Sequence, residues 1–60
     1  MEFQTMYFEV ECIDGDYAFL RRTDEAEPES KMVARALLPE EIMEGSLLKY
    51  EMLQYELIGD

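Results

Sequence analysis

Residues 6 to 22 constrain the fold most, because they hold two strand-like runs separated by Asp14-Gly15-Asp16. In Met6 to Ile13, the apolar Phe8, Val10 and Cys12 alternate with Glu9 and Glu11, the period of a half-buried strand. Tyr17 to Arg22 is aromatic-rich and equally strand-like. Asp-Gly between two such runs is a strong hairpin signal. The first two strands are therefore expected to pair antiparallel. A type I turn with Gly15 left-handed would place Val10 opposite Ala18 and Phe8 opposite Leu20. A two-residue Asp14-Gly15 turn would instead place Val10 opposite Phe19 and Cys12 opposite Tyr17. The first is preferred, because it sets Glu9 near Phe19 and Arg21 on the solvent side.

Beyond the hairpin, Thr23 to Ser30 has no apolar period, carries a proline and four carboxylates, and reads as a surface loop. Lys31 to Ala36 returns to alternation and is expected to be a third strand, with Met32, Ala34 and Ala36 on one face. Leu37 to Gly45 then reads as one short helical turn at about 39–44. Pro39 suits its first position, Glu40 and Glu41 suit the positive end of its dipole, and Gly45 suits its left-handed exit. Leu37 or Leu38, together with Ile42, is expected to turn inward and plug one end of the core.

Residues 46 to 58 admit two readings. Leu48, Tyr50 and Met52 alternate in one phase, and Leu53, Tyr55 and Leu57 in the next, as two strands joined by a bulge or bend would. A single amphipathic helix would put Leu48, Met52 and Tyr55 on one face. Two clean alternating runs favour the strands. The expected fold is thus one all-β domain over residues 1–60. It is a five-stranded, strongly bent sheet or a partly open barrel of the SH3-like or OB-like kind.

Sixty residues bury only about 60% of their unfolded surface, so stability is expected to be modest. The 48% apolar content still argues for a packed core. Fifteen acidic residues against five basic ones give a net charge of -10, which repels phosphate backbones and anionic membranes. No nucleic acid or membrane partner is expected. No apolar run reaches the roughly 20 residues that span a bilayer, and no signal peptide is evident at residues 1–5. A cytoplasmic location is the expectation.

The absence of histidine removes the commonest general base and metal ligand. Gly15, Gly45 and Gly59 lie too far apart to cradle a phosphate. No catalytic residue, cofactor or metal ligand is assigned, and an enzyme is not expected. Cys12 alternates with glutamates and reads as a small buried core residue rather than a reactive thiol. Asp14-Gly15-Asp16 reads as turn chemistry rather than a calcium loop. Asp24, Glu25, Glu27 and Glu29 read as solvated charge, with loose capture of a small ligand or divalent cation as the alternative function. Arg21, Arg22 and Arg35 are expected to pair with nearby carboxylates. Tyr7, Tyr17, Phe19, Tyr50 and Tyr55 are too many for one small interior. They are the candidate partner surface of a non-catalytic binding or accessory module, acting on a protein partner or another copy of the chain.

Three stretches, Val10 to Ala18, Ala36-Leu37-Leu38-Pro39 and Glu44-Gly45-Ser46-Leu47-Leu48, occur in an order that resembles DUF3006, a small bacterial domain of unknown function. The resemblance covers roughly residues 8 to 52. The family often has Asp-Arg where this chain has Glu11-Cys12, and Gly-Asp where it has Gly45-Ser46; the acidic loop is also long here. The resemblance implies a small barrel-like β fold and a strand over Ser46 to Met52. It implies no activity and no site residues.

Overall fold

A computed structural model describes residues 4–27 and 29–58. Five antiparallel strands form one open sheet: β1 (Met6–Asp14), β2 (Tyr17–Arg22), β3 (Ser30–Ala34), β4 (Leu47–Glu51) and β5 (Gln54–Ile58). Their spatial order is β3-β2-β1-β4-β5, so β1 is central and β3 and β5 are the edges. The all-β expectation holds, and 46–58 is two strands rather than a helix. The sheet does not close into a barrel: β3 and β5 are not hydrogen-bonded to each other.

The β1–β2 hairpin follows neither expected register. Its loop is Gly15-Asp16, with Asp14 opposite Tyr17, Ile13 opposite Ala18 and Cys12 opposite Phe19. Gly15 takes φ 60 at the first loop position, the position where a type II′ turn demands glycine. Between Cys12 and Val10 the register shifts by one, and beyond it Val10 faces Leu20, Glu9 faces Arg21 and Phe8 faces Arg22. This bulge at Glu11 corrects the reading of Cys12. An extra residue moves everything on its turn side to the other face. Cys12 is consequently exposed, while Ile13 turns in to pack against the core. The faces of Phe8, Val10, Ala18 and Leu20 survive, because the observed pairing differs from the preferred one by an even step.

The core is built from Phe8, Val10, Ala18, Leu20, Val33, Leu38, Ile42 and Leu48. Leu20, Leu48 and Val10 are its most enclosed large side chains. Each such side chain contributes about 1.5–3 kcal/mol by leaving water. β3 is shorter than expected and presents Val33 to this core, so Met32 lies on the outer, exposed face. Tyr17 pairs with Ala34 and Phe19 with Met32, which fixes that orientation.

The helical turn expected at 39–44 is absent. A 3₁₀ turn instead spans Arg35–Leu37, closed by Leu38 N–H to the Arg35 carbonyl at 3.0 Å. Leu38 is extended, as the residue before a proline prefers. The remaining segment crosses the end of the sheet as turns at 40–41 and 44–45. It behaves as the expected plug: Leu38 and Ile42 are 7% and 6% exposed, whereas Leu37 is 67% exposed. Gly45 takes φ 92 in the turn that Ser46 N–H closes onto the Met43 carbonyl at 2.9 Å. The same turn is tied to β1, since Gly45 N–H donates to the Val10 carbonyl and Val10 N–H to the Ser46 carbonyl.

Between β4 and β5 lies a tight two-residue hairpin loop, Met52-Leu53, in place of a bulge or bend. Both residues have positive φ, 53 and 65, the type I′ pattern that normally selects Asn-Gly. Neither has a side chain suited to that region, so the loop carries strain.

Candidate functional site

The five candidate aromatics do not form one surface. Alternation and register put Tyr7, Tyr17 and Phe19 on the outer face with Glu9, Arg21 and Met32. Tyr50 and Tyr55 lie on the inner face and pack against the core. They are directly opposite in the β4–β5 hairpin, with ring centroids 4.6 Å apart and a 49° tilt. Tyr55 also meets Phe8 at 5.9 Å.

The two edge strands approach each other over this inner face. Lys31 of β3 places its Nζ 5.8 Å from the centroid of Phe8, the ring that Tyr55 of β5 also approaches. Between the edges lies an open groove of about 330 Å³. One wall is β3, from Lys31 through Ala34; the other is Tyr50, Leu53 and Tyr55, with Leu37 at one end. Leu53 at the strained hairpin tip is 73% exposed, the most of any large apolar residue described. Sequence reasoning missed Leu37 and Leu53. Only their apolar character at positions flanking strands could have marked them.

Among the described residues Lys31 is the one charged side chain that lines the groove, and the ion pairs lie outside it. Arg22 donates two hydrogen bonds to Asp24, at 2.6 and 3.0 Å, and stands 3.9 Å from Glu25. That hydrogen bonding holds the Asp24 carboxyl below the usual aspartate range and raises Arg22 further. On the outer face Arg21 pairs with Glu9 at 3.1 Å, and Lys49 lies 3.5 Å from Glu51 and 3.8 Å from Glu56. Ser30 hydrogen-bonds Glu11, fastening the start of β3 to the bulge. The expected pairing thus holds for Arg21 and Arg22, while Arg35 has no ion pair among the described residues. Glu25, Glu27 and Glu29 line a wider recess that shares Lys31 with the groove.

Among the described residues no three Cys, Asp or Glu side chains are grouped closely enough to hold a metal ion, and no helix is long and apolar enough to cross a membrane. A second apolar recess lies near Met43, Leu47, Leu57 and Ile58, beside β5. Comparison with family models, curated proteins and solved structures finds no match for the chain.

Proposed function

We propose that the chain is a non-catalytic binding module that works by contacting another protein. The observation that carries this reading is the open groove between the sheet edges, with Leu37, Leu53, Tyr50 and Tyr55 around it. Exposed apolar side chains next to unpaired strand edges are costly to leave in water and suit an interface. Tyrosine fits such a place because it offers a large apolar face and a polar tip. Self-association uses the same surface and is the variant of this reading in which the partner is a second copy. Membership in DUF3006 and a cytoplasmic location belong to the same proposal. The first rests on the short motifs of residues 8 to 52 and the second on composition.

Cation capture by the 24–29 loop is the weaker reading. Asp24 is already engaged by Arg22, and Glu25, Glu27 and Glu29 point into a recess that also holds Arg22 and Lys31.

A photo-crosslinking residue placed at Leu53 or Leu37 tests the proposal in the cells that make the protein. Discrete adducts from those positions, and none from Glu56 on the outer face, are expected. Equal labelling from all three, or no adduct, overturns it.

A further inference from the structure

The groove has a feature that says what shape of partner it takes. Side chains on a strand alternate between faces, so a cavity against one face touches every second residue. Here four consecutive residues of β3, Lys31, Met32, Val33 and Ala34, line the same groove. The edge of a strand presents successive residues to one cavity, and β3 is an edge strand, so the groove runs along its free edge. The opposite wall is formed by Tyr50, Leu53 and Tyr55. Extended chain is what fits an exposed strand edge, because it pairs the free N–H and C=O groups.

The charge around β3 selects the sign of that chain. Glu25, Glu27 and Glu29 stand where β3 begins, and Asp16 and Glu40 where it ends. Against these five carboxylates stand three cations. Arg22 is already held by Asp24 and Glu25, the Nζ of Lys31 lies over the Phe8 ring, and Arg35 stands beside Asp16 and Glu40. Acid still prevails along β3. A second copy of the chain carries the same net charge of -10 and would bring acid against acid.

Resting on the binding-module reading, we propose that the partner supplies an extended segment bearing lysine or arginine, which adds to the free edge of β3 as a sixth strand. Its side chains on one face enter the groove against Tyr50, Leu53 and Tyr55, and its basic residues meet the carboxylates at the two ends of β3. Addition there narrows the gap between the edges and covers the exposed hairpin tip.

The test is an amide chemical-shift titration of the whole protein with a capped synthetic peptide of alternating valine and lysine, six residues long. Saturable shifts are expected at residues 30–34, Tyr50, Leu53 and Tyr55. A valine–glutamate peptide of the same length should leave those amides unmoved. Two N-methylated versions, blocking either the odd or the even amides, probe the backbone. Alternate amides point to opposite edges, so one version should bind about tenfold more weakly and the other unchanged. Equal binding by both versions overturns strand addition. So do shifts confined to Tyr7, Tyr17 and Phe19, no shifts at millimolar peptide, or a peptide-free dimer that already protects residues 30–34. If crosslinking at Leu53 captures a protein while the peptide does not bind, this inference falls and the binding-module reading stands. If crosslinking also fails, both fall.

Discussion

Tyr50 and Tyr55 face each other across the β4–β5 ladder, and their ring contact spans the two-residue loop of Met52 and Leu53. The loop is short because the pair is in register. It is strained because neither loop residue suits positive φ. The cross-strand contact is worth about 0.5–1.5 kcal/mol beyond burial, which helps hold the strained loop in place.

Replacing Met52-Leu53 with Asn-Gly should therefore stabilise the domain, by about 1–2 kcal/mol, read as a higher urea midpoint at unchanged slope. The same change removes Leu53 from the groove, so binding should weaken while stability rises. A destabilised variant would contradict the assigned loop geometry.

Leu38 and Ile42 close one end of the core from a segment whose other residues are mostly exposed. Ile42→Ala should cost about 2–4 kcal/mol, a large part of what a domain this small possesses. The double variant Leu38→Asp/Ile42→Asp should be unfolded by circular dichroism. A folded, soluble double variant would show that the segment is not a plug.

Gly45→Ala isolates the backbone. No atom lies within 4 Å of where the new Cβ would sit, so only the positive φ resists the change. The expected cost is about 1–2 kcal/mol in thermal or urea unfolding, and a neutral result would mean that the turn relaxes freely.

The Arg22–Asp24 contact sets a pH dependence. Asp24 is held below its ordinary value in the folded state, so the unfolded chain takes up the proton first as pH falls. The contact's contribution is present above about pH 4 and is lost as pH drops through the lowered folded value. The stability difference between the native protein and Asp24→Asn should shrink over that acid range and stay flat from pH 5 to 8. Its size is small, because solvent reaches both groups.

Cys12 should react with iodoacetamide in the native protein at nearly the rate seen in urea, since it lies exposed on the outer face. Strong protection would place it back in the core and remove the bulge at Glu11.

The sequence made the strands legible wherever alternation ran unbroken. Phe8, Val10, Leu48 and Tyr50 fell on the core side as their period required, and Leu38 with Ile42 formed the expected plug. Two kinds of feature stayed hidden. The bulge at Glu11 leaves no mark in composition, yet it decides the face of Cys12, because one extra residue costs little locally and moves a whole end of the strand. The Met52-Leu53 loop lacks any turn residue, and its conformation is imposed by the strands on either side. The groove was invisible for a related reason. It depends on two edge strands, remote in sequence, coming together over Phe8, so no local pattern could assemble Leu37, Leu53 and the tyrosines of the inner face.

The central position of β1 has one more consequence. Residues 6 to 34 form a three-stranded meander and residues 47 to 58 a hairpin, and the single ladder joining them is β1 to β4. The link that crosses the end of the sheet exposes Glu40 and Glu41. A cut between those two residues divides the molecule into one fragment that keeps Leu38 and another that keeps Ile42. Neither fragment has a complete core, and each offers the other an open strand. A chain cut at that exposed bond should therefore behave as two complementary pieces that reassociate through the β1–β4 ladder and the shared core.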